Sequence, residues 1–253
     1  MIIDKPRIED LPILCSLWEE SFGDGEDFFN MFVRTAFSTE RSRCIFMDGR
    51  VVASLYWFDC SYPKGKLAYL YAISTTEKYR GRGLCRALME DTHNHLRELG
   101  YVGAVLVPST ASLFAFYEKL GYSVCSEISE IKAEASDTIC DIRSIDKEEY
   151  VLCRSMLLPQ NGVVQDKENI NFLKEQYDLY KGKDFLMAAT KKNGTLYCTE
   201  FLGNTTVFPS VLKSLRVDEG VFRCVGKERQ FAMYHPLTEN GRVSPEYFGL
   251  AFD

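Results

Sequence analysis

One stretch constrains this chain more than any other. Residues 67–75 read LAYLYAIST, an apolar run rich in strand-forming residues, and residues 82–100 read RGLCRALMEDTHNHLRELG, a helical pattern stopped by Gly100. Between the two, Arg80, Gly81, Arg82 and Gly83 crowd the start of the helix. Glycine there has a local conformational cost and neighbouring arginines repel, so the segment needs compensation from elsewhere. A helix N-terminus after a strand presents unpaired N–H groups and the positive end of the helix dipole, which together suit an anion. Gly81 and Gly83 let a phosphate approach the backbone, and Arg80 and Arg82 add charge. The tetrapeptide by itself has a plainer reading, a solvated basic turn that opens an ordinary helix. Two other phosphate motifs do not fit. The Gly-Lys-Ser/Thr of a P-loop is absent, and Arg86 or Ala87 stands where the last glycine of a dinucleotide fingerprint belongs.

The surrounding pattern is mixed α/β. Residues 2–8 read as a strand, followed by a helix in DLPILCSLWEESF with Asp10 as its N-cap, and a second helix capped near Asp24 or Gly25. Asp48-Gly49 joins two strands as a hairpin. After the 82–100 helix come a strand in YVGAVLVP, a short helix in ASLFAFYEKLG and a strand ending near residue 134. The second half repeats the order in outline. IRSIDKEEYVLCRSMLL is a strand end and helix, DKENINFLKEQYDLYKG a helix, and Asn193-Gly194 a hairpin turn. TTVFPSVLKSLRV is expected to be helical, with FAMYHPL and YFGLAFD as strands. The expected organisation is one domain over residues 1–134 and a smaller, degenerate copy of the same fold over 135–253.

Composition narrows the class. With 46% hydrophobic and 26% charged residues among 253, the chain is globular and long enough to bury a core unaided. A net charge of -6 disfavours a general polyanion binder, so no nucleic-acid partner is expected and phosphate binding must be local. The nine cysteines are odd in number, lack Cys-x-x-Cys and sit mostly in apolar runs, as reduced buried thiols of a cytoplasmic protein would. MIIDKPRIED has no signal-peptide pattern, and no apolar run approaches the roughly 20 residues of a membrane helix, so no membrane partner is expected.

The stretch LAYLYAISTTEKYRGRGLCRAL, followed by VPSTASLFAFYEKLGY, resembles the GNAT N-acetyltransferase superfamily. The family's Arg/Gln-x-x-Gly-x-Gly/Ala falls on Arg80-Gly81-Arg82-Gly83-Leu84-Cys85, with Cys85 in place of the last small residue. The family's Asn-x-x-Ala-x-x-Phe-Tyr-x-x-x-Gly-Phe region runs here from Thr110 through Phe116-Tyr117 to Gly121-Tyr122. The resemblance is strong over residues 66–122 and covers the rest of the first half in element order only. It implies a mostly antiparallel GNAT-type sheet flanked by helices and acetyl-CoA as co-substrate, with no metal. The acceptor would be the amine of a small molecule or peptide. The glycine turn would grip the pyrophosphate of coenzyme A, and the bound dianion would offset the cost of the paired arginines.

The same resemblance implies roles for individual residues. The strand before the turn would splay from its neighbour, and the backbone of Ile73 and Thr75 would pair with the pantetheine arm. Arg80, Gly81, Arg82, Gly83, Leu84 and Cys85 would hold the pyrophosphate. Tyr117 maps to the tyrosine that protonates the departing thiolate, although Leu113, Phe116, Tyr117 and Leu120 also make an apolar stripe suited to a core. Ser109 and Thr110 would cap the following helix or touch the cofactor. No general base stands out: Glu77, Asp59, Tyr71 and Asp253 are the weak candidates. His93 and His95, two apart on a helix, face different ways, and His235 reads as a lone structural histidine. The loop WEESFGDGED places Glu19, Glu20, Asp24, Glu26 and Asp27 where the family's acceptor site lies, which would attract a cationic amine or merely form a solvated, helix-capping loop. Two rival functions share these features: a non-catalytic acyl-CoA-binding module and an aminoacyl-transfer enzyme of tandem fold. The missing Arg-Gly-x-Gly in the second half means that any chemistry belongs to the first.

Overall fold

The computed structural model describes residues 1–252, and the carboxylate candidate Asp253 lies outside them. The chain forms two compact units. The first comprises Met1–Leu106, Lys119–Gly121 and His235–Val243; the second comprises Val107–Glu118, Tyr122–Tyr234 and the described residues from Ser244 onward.

In the first unit the elements run β1 (Ile2–Asp4), α1 (Leu11–Phe22), α2 (Glu26–Thr35), β2 (Ser42–Met47), β3 (Arg50–Tyr62), β4 (Gly65–Thr75), α3 (Leu84–Glu98) and β5 (Gly103–Leu106). The strands pair in that order, antiparallel except for β4 with β5, which is parallel. The β2–β3 hairpin turns on Asp48 and Gly49 at φ 50° and 76°, the doubly positive geometry that a two-residue turn between twisted strands demands. Asp10 does not cap α1 through its side chain, contrary to the sequence expectation. It sits in helical geometry itself, and its carboxylate accepts from the Arg7 N–H at 2.8 Å and from the Arg7 guanidinium. That bonding holds the Asp10 carboxyl below its ordinary range.

Alternation along β3 and β4 divides the sheet into two faces. Tyr56, Phe58, Tyr69 and Tyr71 share the face covered by α1 and α2, where Trp18 lies 5.8 Å from Tyr56, 5.7 Å from Tyr71 and 5.0 Å from Phe32 between ring centres. Trp57 and Asp59 point to the other face, where α3 packs and the rings of Trp57 and His95 are 6.1 Å apart.

The second unit contains α4 (Ala111–Glu118), β6 (Ser123–Glu134), β7 (Ile142–Ser144), α5 (Lys147–Leu157), β8 (Val164–Gln165), α6 (Glu168–Gln176), β9 (Asp178–Gly182), β10 (Phe185–Lys192), β11 (Thr195–Gly203), α7 (Phe208–Leu215), β12 (Glu219–Val225) and β13 (Arg229–Pro236) as far as Tyr234; His235 and Pro236 at the end of β13 belong to the first unit. Its sheet has the order β13-β6-β12-β11-β10-β9-β7. Two expectations are corrected here, and one strand has no clear sequence signal. The helix expected over residues 166–182 ends at Gln176, because Tyr177 turns extended and YDLYKG becomes a strand. The strand β12 was not anticipated: its inward positions are Gly220, Phe222 and Cys224, and the glycine that lets Leu212 of α7 pack on it blanks the apolar alternation. The described part of YFGLAFD is not a strand. Its residues 247–252 are buried in irregular form, held by side chains: the Ser126 hydroxyl bridges the Phe248 N–H and C=O, and Gln165 donates to the Leu250 carbonyl at 2.8 Å.

The second unit's core also holds an ion pair. Arg154 and Glu200, each with a side chain only 1% exposed, form a forked contact at 2.7 and 2.9 Å. Tyr150 and Tyr247 donate to the same carboxylate, and the Val163 carbonyl accepts from Arg154 at 3.0 Å. Breaking a pair this buried leaves an uncompensated charge. Arg154→Leu should therefore cost about 3–5 kcal/mol in denaturant unfolding, while Arg154→Met combined with Glu200→Leu should recover a large part of that loss.

Candidate active site

The site is built on β4. The ladder between β3 and β4 runs Ser54↔Ser74 and then Tyr56↔Tyr71, so β4 carries one extra residue at this point. Ala72, in the bulge, adopts a left-handed φ of 49°. Beyond the bulge the Thr76 N–H bonds the Val52 carbonyl at 2.9 Å, which fixes the alternation: Ser74 faces β3, and the N–H and C=O groups of Ile73 and Thr75 face the opposite side. On that side β5 pairs only with Leu67–Tyr69. Within this unit β4 therefore outruns its neighbour, and Ile73 and Thr75 present main-chain groups along the stretch where no strand of the unit pairs with them. The pairing of β4 with β5 stops at Tyr69; the bulge at Ala72 left no sequence signal, because alanine carries none for positive φ.

Past Thr75 the chain makes a 3-10 turn over Glu77–Tyr79 and enters α3 through Arg80–Gly83. Gly81 and Gly83 have φ of 73° and 77°, and a side-chain carbon added at either would meet nothing within 4 Å. Their glycine requirement is thus one of backbone conformation, and the space beside the turn is open. Among the described residues no side chain caps α3: its first internal bond runs from the Ala87 N–H to the Gly83 carbonyl at 3.1 Å. An uncapped helix start, two exposed arginines and open space beside two glycines fit a pyrophosphate. Arg82 lies over the Tyr79 ring at 5.1 Å, while the Arg80 Nε donates to the Thr75 carbonyl at 2.9 Å. Cys85 is half-buried, and burial pushes its thiol up to about 11, so it remains protonated despite the nearby helix dipole.

The remaining candidates scatter. Asp59 and Tyr71 project from opposite faces of the sheet and cannot serve one cleft together. Asp59 accepts a short hydrogen bond from Tyr101, whose hydroxyl also accepts from the Trp57 indole at 3.1 Å, and Lys66 lies 3.6 Å away. Tyr71 packs against Trp18. Of the loop acids, Asp24 accepts from the Trp18 indole at 3.1 Å and Glu26 and Asp27 occupy the favourable first turn of α2. Glu20 turns toward the segment before α3, a placement that sequence patterning did not reveal. In the second unit, Tyr117 is the buried residue of α4; its ring meets Tyr122 edge-on at 5.8 Å, while Leu113 and Phe116 are only partly covered. The Thr110 hydroxyl lies 3.0 Å from that of Ser112.

Residues 3–125 match a family model described as "Acetyltransferase (GNAT) domain". Residues 3–125 carry a GNAT acetyltransferase domain. Solved structures extend the likeness of fold through nearly the whole chain. A GCN5-related N-acetyltransferase from Kribbella flavida is 16% identical, with 93% of this chain and 72% of that one covered at a TM-score of 0.71. One from Anabaena variabilis is 14% identical, with coverage of 94% and 73% and a TM-score of 0.73. A putative acetyltransferase from Pyrococcus horikoshii is 10% identical, with coverage of 98% and 91% and a TM-score of 0.64. No curated protein sequence matches this chain. The mixed, mostly antiparallel sheet flanked by helices is thus the GNAT-type architecture that the sequence implied.

His235 is not a lone histidine. It stacks on His93 of α3 in the GNAT domain, ring centres 4.5 Å apart and planes 13° from parallel, and its Nδ1 lies 2.9 Å from the Gly121 carbonyl oxygen. Burial, then the neighbouring His235 and Arg97, push His93 down to about 3; burial also lowers His235. His93 is therefore neutral in the fold and protonates more readily when unfolded, so its contribution is present above pH of about 6.5 and lost as pH falls toward 3. His93→Gln should flatten the stability-against-pH curve by up to about 1.4 kcal/mol per pH unit across that window, measured by denaturant titration of both proteins at each pH.

Proposed function

We propose that the chain is an acetyl-CoA-dependent N-acetyltransferase acting on the amine of a small molecule or peptide. The observation that carries this reading is the uncapped, glycine-opened start of α3 directly after a strand that outruns its neighbour. Both halves of an extended acyl-CoA have a matching surface there: main-chain groups for the amide-bearing arm and a helix N-terminus for the pyrophosphate. The donor supplies a thioester-activated acetyl group. Ile73 and Thr75 hold the arm through backbone hydrogen bonds and orient the carbonyl. Gly81, Gly83, Leu84 and Cys85 offer N–H groups to the phosphates, with Arg80 and Arg82 adding charge.

The reaction is direct transfer. The neutral amine forms a C–N bond to the carbonyl carbon, the C–S bond breaks, the amine's proton passes to solvent, and Tyr117 donates its phenolic proton to the departing thiolate. We read residues 1–134 as the acetyltransferase domain and 135–253 as a degenerate second copy. Nine free cysteines support a reducing, cytoplasmic setting.

Gly83→Asp should abolish acetyl-CoA binding in calorimetry while leaving the protein folded, because a carboxylate at the phosphate position repels the ligand. Unchanged affinity in that variant would remove the pyrophosphate assignment. Release of free CoA across a panel of amines separates an enzyme from a non-catalytic acyl-CoA-binding module. With the preferred amine, Tyr117→Phe should lower turnover about 10²–10⁴-fold with acetyl-CoA affinity nearly intact; normal turnover would leave Tyr117 a packing residue.

A further inference from the structure

Glu20 lies in the last turn of α1, where the negative end of the helix dipole disfavours a carboxylate. It is compensated from outside the helix. The Thr76 hydroxyl donates to the two Glu20 oxygens at 2.8 and 3.2 Å, and the Glu77 N–H donates to it in a short bond. Arg80 Nη2 stands 3.9 Å from the same carboxylate. These contacts, the Glu77 N–H first among them, hold the Glu20 carboxyl below its ordinary range. Thr76 is the N-cap residue of the 3-10 turn, yet its side chain makes no cap bond of its own. Glu20 supplies that cap from another helix: it satisfies the N–H that opens the turn and orients the hydroxyl beside it.

We propose that Glu20 is a positioning residue for the pyrophosphate-binding turn, fixing the path from Thr76 to Arg80 so that Arg80, Gly81 and Gly83 meet the phosphates in a preformed arrangement. The proposal rests on the acetyl-CoA reading above. Glu20 touches no reacting atom. Its effect is confined to ligands that carry the pyrophosphate, which separates positioning from general support of the fold. The carboxylate acts mainly as an acceptor, since Arg80 is at the far limit of an ion pair and half exposed.

The test uses the full chain and two ligands, acetyl-CoA and S-acetylpantetheine, which has the thioester arm without the pyrophosphate. Glu20→Ala should weaken acetyl-CoA about tenfold, as loss of a charge-assisted hydrogen-bond cluster implies, with S-acetylpantetheine affinity and turnover at saturating acetyl-CoA within about twofold of wild type. Glu20→Gln keeps an acceptor oxygen and should rescue acetyl-CoA binding to within about threefold of wild type. Thr76→Val should reproduce part of the loss and add little to Glu20→Ala, because the two groups act through one contact. Glu20 is exposed, so its variants should unfold at the wild-type temperature. Acetyl-CoA affinity in Glu20→Ala that is unchanged or tighter, or an equal loss for both ligands, would overturn the proposal. Wild-type protein that fails to bind acetyl-CoA would instead overturn the functional reading on which it rests.

Discussion

The one-residue slip between β3 and β4 sets the geometry of the first unit. Up to Tyr69, β4 is an interior strand with β3 on one side and β5 on the other. The extra residue at Ala72 changes the alternation from there on, so that Ile73 and Thr75 rather than Ser74 turn their main-chain groups away from β3. Had the ladder continued without a bulge, the parity beyond it would be reversed and the same side would present Ser74. A left-handed alanine costs roughly 1–2 kcal/mol against ordinary strand geometry. Such a position persists only where its surroundings over-determine it. Here the buried Ser54 and Ser74 hydroxyls meet at 3.0 Å just beyond the bulge, and Tyr71, just before it, packs against Trp18.

That bracing explains why α1 matters to the turn before α3. Trp18 anchors α1 among Phe32, Tyr56 and Tyr71, and two residues later Glu20 reaches the 3-10 turn. One helix therefore contacts β4 before the bulge and the chain after it. The aromatic cluster supplies the stiffness, since interlocked rings have few alternative packings. The polar contacts supply direction. Moving α1 along its axis would cost both sets at once, which ties this helix to the strand edge and to the turn before α3 as a mechanical group.

Much of this was legible in the sequence for physical reasons. The Asp48-Gly49 and Asn193-Gly194 turns, the glycines bracketing α3 and the apolar period of α1 each report a local conformational requirement. What stayed hidden depends on partners distant in the chain. Gly220 conceals β12 because its role is to admit Leu212, and residues 247–252 look like a strand because burial rather than pairing makes them apolar. Asp10 satisfies every local criterion for an N-cap, yet its carboxylate binds Arg7. The five acids of the first loop look alike by spacing, and the fold gives four of them separate roles: Asp24 to an indole, Glu20 to a turn, Glu26 and Asp27 to a helix dipole. The family motif marked the glycine turn that opens α3; no spacing rule pairs His93 with His235 across more than half the chain.

The arginines of that turn bear on the compensation that their crowding at a helix start requires. Arg82 stacks over Tyr79, and Arg80 donates to the Thr75 carbonyl beside Glu20. Each has an internal partner before any anion arrives, so their mutual repulsion is spread over an aromatic face, a carbonyl dipole and a carboxylate. The glycine strain is likewise small, since φ near +75° is ordinary for glycine and nothing crowds either position. A turn stabilised this way is formed in advance, and an incoming phosphate need not order it. The same internal contacts oppose the ligand slightly, because a carboxylate near Arg80 screens part of its charge. On the proposed acyl-CoA reading, backbone N–H groups and the helix dipole, which Glu20 leaves untouched, would contribute most of the attraction and the arginines would refine it.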